Sequence, residues 1–95
     1  MKEFVIDFKG VKTYLGFYEA LIKGLEFPDW CGKNPDAIWD LLTGYMEHPA
    51  TIYIKGIDSL PKDLEDKANL MMETFNEAVD WYARINLVVR VEVID

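Results

Sequence analysis

Apolar and polar residues alternate from Glu3 to Phe8, with Phe4, Ile6 and Phe8 on one side and Glu3, Val5 and Asp7 on the other. A period of two predicts a strand. Lys9-Gly10 turns the chain. Thr13 is a suitable N-cap for a helix to about Lys23, with Gly24 as its stop signal. Leu15, Tyr18, Ile22 and Leu25 supply the expected apolar stripe, which Gly16 weakens somewhat. Phe27 to Lys33 holds Pro28 and Gly32 and reads as a loop.

The next segment predicts a helix with two distinct faces. Asn34 is a good N-cap, Pro35 fits the first helical position, and Asp36 suits the positive end of the helix. Ile38, Leu41, Leu42 and Tyr45 recur at helical spacing as an apolar face. Asp36, Trp39, Asp40 and Thr43 recur on roughly the opposite face. A tryptophan between two carboxylates, with no lysine beside it, suits a cationic partner better than it suits plain solvent.

After Gly44 and Pro49, Ala50 to Ile54 has the β-propensity of a second strand. Lys55-Gly56 turns the chain, and Asp58 or Ser59 is expected to cap a short helical piece with Pro61 in its first turn. A long helix is expected over about Asp66 to Arg84. Ala68, Met71, Met72, Phe75, Val79 and Tyr82 form its buried side, and Glu73, Glu77 and Asp80 its exposed side. Of the adjacent Trp81 and Tyr82, one is expected inside and the other partly exposed. Leu87 to Ile94 reads as a third strand. Long helical crossovers between short strands imply parallel pairing. The expected fold is α/β, a single domain over residues 1–95, with a three-stranded, mostly parallel sheet packed by three to four helices.

Composition changes this picture little. Hydrophobic residues make up 51% and charged residues 28%, ordinary for a globular chain. The formal net charge of −7 argues against nucleic acid and anionic membranes as direct partners. Between Lys23 and Lys55 the only lysine or arginine is Lys33, whereas Glu26, Asp29, Asp36, Asp40 and Glu47 lie in the same interval. The single cysteine, Cys31, permits no intrachain disulfide and reads as a packing residue. His48 has no nucleophile motif around it and reads as structural. No signal-peptide core or membrane-length run occurs, so a cytoplasmic location is expected. Metal-site, phosphate-loop and hydrolase motifs are missing, so no catalytic residue, metal or cofactor is assigned.

The run Phe27-Pro28-Asp29-Trp30-Cys31-Gly32-Lys33-Asn34-Pro35-Asp36-Ala37-Ile38-Trp39-Asp40-Leu41-Leu42-Thr43-Gly44 strongly resembles the barstar family. Barstar is the intracellular inhibitor of the secreted bacterial ribonuclease barnase. The likeness extends over essentially the full chain and is weakest from Lys55 to Lys67. It implies that this loop and helix enter a nuclease active site, with acids where RNA phosphates would lie. Carried over by position, Asp40 matches the key acid and Asp36 the second acid on the helix. Trp30 stands where tyrosine is common. Gly32, Asn34, Trp39, Thr43 and Gly44 match directly, Tyr45 matches an aromatic contact, and Glu77 matches a rim acid. Lys33, Pro35 and Cys31 depart from the pattern: Lys33 reverses a local charge, Pro35 replaces an apolar contact residue, and Cys31 replaces an aromatic.

The implied partner is a barnase-like secreted ribonuclease or related basic nuclease toxin, met by a chain expected to be monomeric when free. The departures keep a second reading open, an immunity or adaptor protein for an unrelated cationic toxin or other basic protein. A carboxylate enzyme built on Asp29, Asp36, Asp40 and Glu47 is the third and weakest. Charged helix faces are most often merely solvated, so the residues' surroundings matter.

Overall fold

A computed structural model describes residues 1–94. The order is β1 (Lys2–Asp7), α1 (Tyr14–Gly24), α2 (Pro35–Gly44), β2 (Ala50–Lys55), two 3-10 turns (Ile57–Ser59 and Lys62–Leu64), α3 (Glu65–Arg84) and β3 (Val89–Ile94). The three strands form one sheet in the order β1-β2-β3. Both pairings are parallel, with Phe4 beside Ile52 and Ile52 beside Val91. The expected α/β architecture is therefore present.

One sheet face builds the core. Phe4, Ile6, Phe8, Ala50, Ile52, Ile54 and Val89 are buried together with Phe17, Leu21, Ile38, Leu42, Phe75 and Tyr82 from the helices. The other face carries Glu3, Val5 and Asp7 beside Thr51, Tyr53 and Lys55. There the Tyr53 hydroxyl donates to Glu3 Oε2 at 3.2 Å.

α1 corrects two expectations. Thr13 caps it as expected, its Oγ1 accepting from the Gly16 N–H at 3.0 Å. Tyr18, Ile22 and Leu25 are buried as expected and Phe17 and Leu21 join them, but Leu15 is 53% exposed. The core reaches α1 along its Phe17–Leu21 side and leaves Leu15, near the N-terminal end, in solvent. Gly24 is the last helical residue and not a stop beyond it. A Cβ there would lie 2.6 Å from the Val5 carbonyl oxygen and 2.8 Å from Ile6 Cα, so glycine lets α1 sit directly on β1. Glu26, with φ at 59°, makes the turn that follows.

The segment after β2 also differs. Asp58 and Ser59 lie inside the first 3-10 turn, and Pro61 precedes the second. α3 then follows as expected, with Ala78 buried in addition to the anticipated positions. Met72 and Val79 are only half-buried. Tyr82 is buried and Trp81 half-buried, their rings edge-to-face at 5.0 Å.

Candidate functional site

The site is built on α2 and the loop before it. Asn34 has extended backbone at the N-cap, and its Oδ1 accepts from the Ala37 N–H at 2.8 Å. Pro35 occupies the first turn, where its missing N–H costs nothing. Gly32 lies against this cap. A Cβ there would come within 3.0 Å of Asn34 Nδ2 and 3.1 Å of the Ala37 Cβ, pressing on the group that starts the helix.

The far end of α2 is held by α3. The Tyr82 hydroxyl donates to the Leu42 carbonyl, and the His48 ring lies 5.2 Å from the Tyr82 ring. Burial raises the Tyr82 phenol above its ordinary value, keeping it a neutral donor. The Tyr45 and Met46 N–H groups both donate to the Leu41 carbonyl, at 3.0 and 2.9 Å. α2 is thus a short rod fixed at both ends.

Its buried side is Ile38 and Leu42, with Leu41 half-buried. Tyr45 does not continue that side. It is the C-cap, lies 54% exposed and stacks edge-on against Phe27 at 6.1 Å, while Met46 fills the core instead. The chain leaves helical geometry at Tyr45, so helical spacing misplaces it. Tyr45 lines a shallow groove with Phe4, Leu25, Glu26, Met46 and Glu47.

Asp36 and Asp40 are exposed one turn apart. Among the described residues the one ion pair is Lys2–Glu26 at 3.2 Å, so neither aspartate is neutralised by a lysine or arginine there. Trp39 lies between them, half-buried against the core. Thr43 is half-buried, and its hydroxyl donates to the Trp39 carbonyl at 2.9 Å within its own helix. Gly44 is exposed with open space around it. Trp30 is 75% exposed, the barest large apolar side chain in the described residues. Glu77 is exposed on α3.

Cys31 is buried, and burial pushes its thiol up, only partly offset by the Lys33 charge. This is a packing cysteine and not a reactive one. Tyr14 adds a tie that sequence spacing does not reveal. Its hydroxyl makes a long 3.4 Å hydrogen bond to the Lys33 carbonyl, and Lys67 Nζ lies 4.7 Å above its ring. The loop is thereby tethered to α1 and α3, while the Lys33 side chain is exposed and has no ion pair among the described residues.

A capped helix anchored at both ends thus holds Asp36 and Asp40 outward, beside a nearly bare Trp30. The family described as Barstar (barnase inhibitor) matches residues 1–94. The chain belongs to the Barstar family. It is also 32% identical over 78 residues to "Putative ribonuclease inhibitor YrdF" of Bacillus subtilis (strain 168), covering 82% of this chain and 86% of that protein. No helix among the described residues is long and apolar enough to cross a membrane.

Proposed function

We propose that this chain is a stoichiometric, non-covalent inhibitor of a barnase-like secreted ribonuclease or related basic nuclease toxin. It acts in the cytoplasm without a cofactor and without catalysis of its own. The observation that carries this reading is the unneutralised Asp36–Asp40 pair on a helix locked at both ends.

A ribonuclease must attract phosphate, so its cleft presents cationic side chains. Asp40 and Asp36 supply carboxylates for those cations, and a carboxylate–arginine contact can be bidentate and charge-assisted. Burying the acids is costly unless each finds a donor, which narrows partner choice. Trp30 and Tyr45 supply rigid apolar area, and Trp39 supports the helix while reaching its surface. Gly32, Asn34, Thr43 and Gly44 hold the backbone in place and keep the approach open. Glu77 contributes at the rim. Opposed fields accelerate encounter, which matters when a toxic enzyme must be captured quickly.

Titration of a barnase-like ribonuclease with the purified protein tests this reading. Activity is expected to fall linearly to a sharp one-to-one endpoint, and association is expected to slow as salt rises. Undiminished ribonuclease activity at large excess counts against it.

Lys33 favours a second reading, an immunity or adaptor role toward a different cationic toxin or basic protein. It places an exposed cation in the loop, so the matching partner position favours an acid. If Lys33→Glu improves inhibition of a barnase-like enzyme, that enzyme is not the natural target and the second reading gains.

A further inference from the structure

Among the described residues β3 borders the sheet with only β2 beside it. In a parallel pair, alternate residues of a strand turn their backbone groups toward the neighbour. The Val88 carbonyl accepts from the Ala50 N–H at 3.1 Å. Val88, Arg90, Glu92 and Ile94 therefore serve β2, and Val89, Val91 and Val93 turn N–H and C=O toward the open edge. Such an edge is a template for another strand unless proline, lysine or a cover protects it. β3 contains neither proline nor lysine. Its apolar face emerges along the strand: Val89 is buried, Val91 half-buried and Val93 54% exposed, flanked by Val88 at 46% and Ile94 at 41%.

The opposite edge is managed differently. β1 begins with Lys2, which bridges to Glu26, and α1 packs closely over it at Gly24.

The charges on β3 select its partner. When the strand meets a second copy of itself antiparallel, directly opposed residues share a face, so valine must oppose valine. Centred on Arg90, this pairing sets arginine against arginine. Centred on Glu92, it sets glutamate against glutamate. Centred on Val91, it sets Arg90 opposite Glu92 of the second copy, twice by symmetry, and Val89 opposite Val93 of the second copy. The outward backbone groups of Val89, Val91 and Val93 then meet their counterparts in full. Among the described residues neither Arg90 nor Glu92 forms an ion pair within the chain.

We infer that β3 pairs antiparallel with β3 of a second copy, centred on Val91, to give a symmetric dimer with one continuous sheet. The interface is self-complementary, as a two-fold contact requires. The negative charge on each copy opposes association, so the dimer dissociates on dilution. The free chain is then a concentration-dependent equilibrium and not the monomer expected from sequence.

Sedimentation equilibrium on the full chain, from micromolar to millimolar concentration, tests this. Wild type is expected to show monomer and dimer, and amide exchange at Val89, Val91 and Val93 is expected to slow as concentration rises. Arg90→Glu or Glu92→Arg alone sets like charges opposite each other at both paired positions, weakening association about tenfold or more. Both side chains are exposed, so the monomer fold is expected to survive. The double variant Arg90→Glu/Glu92→Arg restores both pairs and should recover wild-type association, as should an equal mixture of the two single variants. Wild type that stays monomeric throughout overturns the inference, whether the edge remains bare or takes another protein's strand. Association indifferent to both reversals, or not restored by the double variant, overturns it equally.

Discussion

α2 and α3 each bury one apolar side and turn carboxylates outward, yet they differ in everything else about those acids. On α3, Glu73, Glu77 and Asp80 share the exposed surface with Asn69, Asn76 and Arg84, over 20 residues that begin without a side-chain cap. On α2, Asp36 and Asp40 sit on 10 residues with no lysine or arginine. They flank a half-buried tryptophan, and exposed Trp30 and Tyr45 lie just beyond the ends. α2 is capped by Asn34 and tied to α3 through Tyr82. Carboxylates alone therefore do not distinguish a recognition face from a solvated one. On the proposed reading aromatic neighbours and a locked backbone do, with Glu77 alone of the α3 acids reaching the rim, because an ordered surface loses less entropy on binding.

The largest expected effect of a single substitution comes from Asp40→Ala, measured as inhibition of a barnase-like ribonuclease. Affinity should fall at least about thirtyfold, roughly 2 kcal/mol or more, with the thermal unfolding curve little changed. Tyr82→Phe tests the anchor from the other helix. It removes a buried donor from the Leu42 carbonyl and should lower stability by about 1–1.5 kcal/mol in urea unfolding. Asn34→Ala tests the opposite end and should lose about 1 kcal/mol by the same measurement.

Much of this was readable before any coordinates, and the parts that were not share a cause. The caps at Thr13 and Asn34, the strand Phe4-Ile6-Phe8 and the two-faced α2 depend on neighbours within a few residues. Leu15 and Tyr45 were misplaced because helical spacing does not say where the sheet lies or where a helix unwinds. The roles of Gly24, Tyr14 and Tyr82 rest on partners far along the chain, at Val5, Lys33 and Leu42. The family resemblance named the candidate site residues, while their exposure and lack of ion pairing needed the fold.

The subtlest expectation concerns alkaline pH. Burial, with Tyr14 adding to it, pushes the Tyr18 phenol up to about 12, and burial also raises Tyr82. A raised phenol favours the folded state while it is neutral. That contribution is complete below about pH 10, the ordinary tyrosine value, and is lost as pH climbs through the folded-state value. Urea unfolding at pH 7, 9 and 11 should show these tyrosines contributing equally at the first two and less at pH 11.

The most direct measurement sets the two acidic faces against each other at equal charge. Asp36→Asn/Asp40→Asn and Glu73→Gln/Asp80→Asn each remove two negative charges, one pair from α2 and one from α3. Against a barnase-like ribonuclease, the α2 variant is predicted to bind a hundredfold or more weakly, about 3 kcal/mol, and the α3 variant within about threefold of wild type. Equal losses in both would mean that diffuse negative charge, and not a shaped face on α2, holds the partner, contradicting the account.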